Sequence, residues 1–103
     1  MVETLNKLKD KHFFPVEEWD ERGLIPSEES SIEEMRLAVR NFVDFLVGLH
    51  QTHPTNQFAI QEIQKYFDEW ERDGFDTEEM EFIFDEFFEI LREIKIEPDE
   101  FDV

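Results

Sequence analysis

The chain contains no cysteine, which excludes disulfide bridges and thiol chemistry and fits a reducing compartment. It is also poor in cations. Ten Lys and Arg stand against 28 Asp and Glu, for a net charge of −18. Such a surface repels nucleic-acid phosphates and anionic membranes, so direct binding to either is excluded as a primary role. Glycine occurs three times and never in a phosphate-cradling loop. No apolar run approaches the ~18 residues of a membrane span, and Met1-Val2-Glu3-Thr4-Leu5 has no apolar leader core. The expected location is therefore the cytoplasm.

What is present suffices to fold. Hydrophobic residues make up 40% of 103 residues, with twelve Phe, two Trp and one Tyr, so the charge does not imply disorder. The length suits one domain with one core, residues 1–103. Periodicity predicts an all-α, compact four-helix domain with a long irregular connection between helices one and two. The first helix is expected over about 3–12, with Leu5, Leu8 and His12 inward, until Phe13-Phe14-Pro15 breaks the pattern. Residues 15–30 carry Pro15, Gly23, Pro26 and Ser27 and read as loop, pinned by Val16, Trp19, Leu24 and Ile25.

Ser31-Ile32-Glu33-Glu34 has the form of a capping box for a helix over 31–50, with Ser27 or Ser30 as earlier caps. Met35, Ala38, Val39, Phe42, Leu46 and Leu49 form its apolar stripe, widened by Val43 and Phe45, which marks a central helix. The third helix is expected over 57–72, burying Ala59, Ile60, Ile63, Tyr66, Phe67 and Trp70 and ending at Gly74. Asp76 caps the fourth, over 77–96, with Glu79 completing a capping box. Residues 97–103 read as a frayed acidic tail.

The catalytic and metal chemistries that this composition could suggest fail one by one. Glu69 to Met80 resembles a calcium loop with Gly74 at position six, but position twelve is Met80 where a carboxylate is required. His50 and His53 lack a third ligand for zinc and suit a structural role at a helix end. Serine occurs only at 27, 30 and 31, with no base nearby, and no Glu-x-x-His pair exists for a di-iron site. The many carboxylates sit on a wet helical face, where none is marked for acid–base work. No catalytic residue, cofactor or metal is expected, and the chain reads as a non-enzyme.

The acidic charge is concentrated. From residue 68 onward, sixteen Asp and Glu oppose Arg72, Arg92 and Lys95, which accounts for thirteen of the eighteen net charges. At about 100° per residue, Met80, Ile83, Phe84, Phe87, Leu91 and Ile94 gather on one side of the last helix. Phe82 is expected to project from the opposite side, ringed by Glu78, Asp85, Glu86 and Glu89. The like-charge pairs Glu78–Glu81, Glu81–Asp85, Asp85–Glu89, Glu86–Glu89 and Glu89–Glu93 cost on the order of 1–2.5 kcal/mol together. A solubility surface would mix signs, so this repulsion points to a function. The expected site is an apolar anchor, Phe82, in an acidic rim of Asp68, Glu69, Glu71, Asp73, Glu78, Asp85, Glu86, Glu89 and Glu93, steering a basic protein. The competing placement for Phe82 is contact with the 15–30 connection or with Phe101.

Gly23-Leu24-Ile25-Pro26-Ser27-Glu28-Glu29 and Asp76-Thr77-Glu78-Glu79-Met80-Glu81-Phe82 resemble segments of small acidic bacterial helical domains. In size, charge and helix count the chain is similar to immunity proteins of bacterial nuclease toxins, including those of contact-dependent growth inhibition. That resemblance implies a partner: the cationic nuclease domain of a secreted toxin, neutralised by tight binding. The signature of the colicin DNase immunity group is missing, so no binding residue carries over from it. Two other classes fit the charge: a nucleic-acid mimic regulating a host DNA- or RNA-binding protein, and a structural or adaptor domain.

Overall fold

The computed structural model describes residues 2–11, 13–52, 55–70 and 74–101, and the regular structure within them is helical throughout. The helices are α1 (Val2–Leu8), α2 (Val16–Glu21), α3 (Glu29–Gln51), α4 (Asn56–Glu69) and α5 (Thr77–Glu93), followed by a 3₁₀ turn at Pro98–Glu100. The expected all-α domain is present. Its count differs, because α2 forms inside the stretch read as loop. Six residues are too few for a helix to persist alone, so α2 depends on tertiary packing through the buried Trp19.

The end of α2 is a Schellman motif. Gly23 sits at φ 72, its N–H donates to the Asp20 carbonyl (3.0 Å), and the Leu24 N–H donates to the Trp19 carbonyl (2.9 Å). Of the four expected pins in this connection, Trp19 is buried and Leu24 half-buried. Ile25 is 89% exposed and Val16 is also exposed, so neither holds the segment down.

α1 ends at Leu8, four residues before its expected end, and His12 lies outside the described residues. Phe13 and Phe14 follow, both buried, with Phe14 in the left-handed region at φ 59. A left-handed non-glycine residue costs about 1–2 kcal/mol, whereas burying each phenyl ring returns roughly 1.5–3 kcal/mol. Burial wins, and the helix stops.

α3 begins at Glu29, and its N-cap, Glu28, makes no side-chain cap bond, so the expected Ser31 capping box does not form. The first turn is tied instead by Arg36. This buried guanidinium donates from Nη1 to Glu29 (3.1 Å) and to Glu33, and from Nε to the Phe13 carbonyl (2.8 Å). The expected stripe of α3 is buried together with the flanking Val43, Phe45 on the other flank is half-buried, Ile32 is added, and the helix packs against α1 and α5.

Thr55 caps α4, its Oγ1 accepting from the Phe58 N–H (3.2 Å). Ala59, Ile63 and Phe67 are buried, while Ile60, Tyr66 and Trp70 are half-buried. α4 ends at Glu69, and the expected glycine cap at Gly74 depends on residues 71–73, outside the described residues. Phe42, Phe67 and Phe87 join α3, α4 and α5 with ring centroids 4.4–5.8 Å apart.

α5 also closes in a Schellman motif, three residues before its expected end. Lys95 takes the left-handed position at φ 66. Its N–H donates to the Arg92 carbonyl (3.1 Å) and that of Ile96 to the Leu91 carbonyl (2.9 Å). The tail is not frayed through Phe101, which is buried edge-on against Phe67, with centroids 5.4 Å apart at 83°.

Candidate protein-binding surface

The acidic helix starts where its sequence requires. Asp76 Oδ1 accepts from the Glu79 N–H (2.8 Å), and Glu79 Oε1 accepts from the Asp76 N–H (3.0 Å), a reciprocal capping box. Seventeen residues then run for roughly 25 Å at 1.5 Å per residue. Glu79, Phe82, Ile83, Glu86, Phe87, Ile90 and Leu91 are buried. This arc is wider than periodicity suggested because α5 is covered twice, by the helical core and by the 13–22 segment.

Phe82 therefore does not project into solvent. It is 2% exposed, 4.4 Å from the Trp19 ring centroid and edge-on to Phe14 at 6.0 Å. The Arg22 guanidinium lies 4.1 Å from its centroid. The anchor assignment is corrected: Phe82 is a core residue that binds the connection, because leaving a phenyl ring in water forfeits roughly 1.5–3 kcal/mol. Glu86 is corrected as well. It is 8% exposed and accepts from Lys11 Nζ at 2.7 Å, so it is an internal ion-pair member and not a rim charge.

The remaining expected residues separate into groups. Glu78, Asp85, Glu89 and Glu93 are exposed on the outer face of α5, joined by Glu81 and Arg92. Asp85 accepts from Arg22 Nη2 and Glu89 from Arg92 Nη1, each at 2.8 Å. Glu78, Glu81 and Glu93 have no cationic partner among the described residues. Asp68 and Glu69 end α4, where Asp68 accepts from Gln64 (3.0 Å) and both line a shallow depression of about 460 Å³ that also includes Lys65 and Glu100. Glu71 and Asp73 lie outside the described residues. Like-charge repulsion along α5 is thus partly relieved by cations from distant segments.

Sequence reasoning missed a groove of about 450 Å³ between α2 and α5. Its charged lining alternates carboxylates (Glu18, Glu21, Asp85, Glu86, Glu89) with Lys11, Arg22 and Arg92. Each cation already donates to one carboxylate, which leaves Glu18 and Glu21 without a hydrogen-bond donor among the described residues. Burial pushes the Glu18 carboxyl above its ordinary range, helped by the neighbouring Glu86 charge and opposed by Lys11 and Arg22. The one sequence clue was Trp19, an apolar residue too large to leave on a loop surrounded by acids.

His50 is not held as a helix-end cation. Its Nε2 is buried without a hydrogen-bond partner among the described residues, and burial lowers its pKa; His53 lies outside the described residues. Among the described residues no group of three or more His, Asp or Glu is placed to hold a metal ion, and no helix is long and apolar enough to cross a membrane. No family model, curated protein or solved structure matches this chain.

Proposed function

We propose that the chain is a non-catalytic immunity protein that binds and neutralises a cationic nuclease toxin domain in the cytoplasm of the cell that makes it. The observation that carries this reading is the outer face of α5. Glu78, Glu81, Asp85, Glu89 and Glu93 are all exposed along one stripe of a chain carrying −18 net charge. A nuclease must hold phosphate in a basic cleft, so it presents the complementary field. Attraction of this kind raises association rates by ~10–1000-fold and discriminates against anionic surfaces. With Phe82 buried, affinity comes from the carboxylate stripe and the groove beside it, without an aromatic plug.

The test is titration of the basic nuclease domain encoded beside the chain's reading frame, with cleavage of RNA and DNA as the readout. The expected result is complete loss of cleavage at one equivalent. Undiminished cleavage at excess protein contradicts the proposal. Binding that instead selects a host DNA-binding protein, and that DNA competes away, identifies a nucleic-acid mimic.

A further inference from the structure

We infer that the ring of Phe82 and the carboxylate of Asp85 form a guanidinium subsite, filled by Arg22 in the free protein and open to an arginine of the partner. Arg22 caps α2, places its Cζ 4.1 Å from the Phe82 centroid and donates from Nη2 to Asp85 Oδ2 at 2.8 Å. An aromatic ring and a carboxylate are the two surfaces a guanidinium prefers, since it is planar, forked and weakly hydrated. The molecule's own arginine therefore reports the chemistry of the site.

Exchange is physically accessible. Trp19 and Phe14 fix Phe82 to the core, so the ring stays in place whichever guanidinium covers it. Arg22 is 39% exposed and Asp85 58% exposed, so their pair breaks without opening the core. A displaced Arg22 has a destination, because Glu18 lies four residues N-terminal to it, the favourable helical order for an acid and a base. The Glu18 carboxylate accepts no side-chain hydrogen bond among the described residues, and its pKa is held up by burial and by Glu86. Admitting a fourth cation thus adds an ion pair to a groove that has five carboxylates for three cations. The inference rests on the proposed function only for the source of the incoming arginine.

The experiment records ¹⁵N–¹H spectra of the full chain titrated with acetylated, amidated tri-arginine, with tri-lysine as the comparison. Wild type is measured beside Arg22→Ala, Arg22→Lys and Lys65→Ala, the last removing the same charge elsewhere on the surface. Tri-arginine is expected to shift Arg22 Nε–Hε and the amides of 18–22 and 82–86. Arg22→Ala is expected to bind it about 10-fold more tightly than wild type, Arg22→Lys more tightly by a smaller factor, and Lys65→Ala within about 2-fold. Equal gains for Arg22→Ala and Lys65→Ala, or tri-lysine matching tri-arginine, overturn the subsite in favour of the overall field. Nuclease inhibition unaffected by Arg22→Ala, with tri-arginine failing to seat at Phe82, removes the subsite and leaves the proposed function. Tri-arginine seating without nuclease inhibition does the reverse.

Discussion

Trp19 and Phe82 lie with ring centroids 4.4 Å apart and planes tilted by 37°, joining a six-residue helix to α5. Removing either ring leaves a cavity in the core and an unsupported α2. Phe82→Ala is expected to cost about 3–5 kcal/mol in urea denaturation, the range of large aromatic truncations. A surface anchor would cost about 0.5 kcal/mol or less. The same variant reports on α2, whose amides are expected to lose hydrogen-exchange protection along with the global transition.

The two ion pairs that fasten the 9–22 segment to α5 differ in burial, and their strengths should differ accordingly. Lys11–Glu86 has one side chain only 11% exposed, whereas both members of Arg22–Asp85 are well exposed. Double-mutant cycles are expected to give a coupling of about 1–2 kcal/mol for Lys11–Glu86 and about 0.2–1 kcal/mol for Arg22–Asp85. Added salt should reduce the second far more than the first. Equal couplings would show that Glu86 is as solvated as Asp85.

Stability should carry two opposing pH signatures. The Glu18 carboxyl is raised in the folded state from an ordinary value of 4.5, so the native protein holds more protons than the unfolded chain just above that value. Its contribution is present below pH 4.5 and is lost as pH rises through the folded pKa. Glu18→Gln cannot ionise, and is expected to be more stable than wild type at pH 7, with the gap closing towards pH 4.5. His50 is lowered from 6.5, so its contribution is present above pH 6.5 and is lost as pH falls through the lower folded value. A His50→Gln variant should remove that acid-side loss. Urea midpoints measured from pH 4 to 8 check both, and pH-independent differences would contradict them.

The two Schellman motifs predict opposite effects of glycine chemistry. Lys95 holds φ 66 with a Cβ, and Gly23 holds φ 72 without one. Lys95→Gly is expected to stabilise the protein by about 0.5–1 kcal/mol, and Gly23→Ala to destabilise it by about 1 kcal/mol. Thermal and urea unfolding provide the check.

The parts of this fold that were legible in the sequence are the ones set by local chemistry. The apolar stripe from Met35 to Leu49 and the Asp76–Glu79 capping box depend on residues within one or two turns, and both form as read. What was not legible depends on residues far apart. Phe82 is four residues from acids on either side, yet its environment is decided by Trp19 and Phe14, and no spacing rule links them. Lys11 and Glu86 meet across 75 positions, so the relief of α5 self-repulsion was hidden, and with it the groove. Ser31 does not cap because α3 starts before it, at Glu29, and its first turn is tied by buried Arg36, whose bond to the Phe13 carbonyl spans 23 positions and follows no local rule. Of the expected site, the exposed members of α5 stay together as a stripe, while the apolar centre drawn for them belongs to the core.

The decisive measurement is the equilibrium affinity for the cationic nuclease domain of the wild-type chain and of the triple variant Glu78→Lys, Glu81→Lys, Glu93→Lys, as a function of salt. These three acids have no cationic partner among the described residues, so reversing them breaks none of the ion pairs described and should leave unfolding stability equal or higher. The expected result is binding weakened by roughly 100-fold or more, with a shallower dependence on ionic strength. A triple variant that folds normally and binds within about 2-fold of wild type, with the same salt dependence, would contradict the role assigned to the outer face of α5.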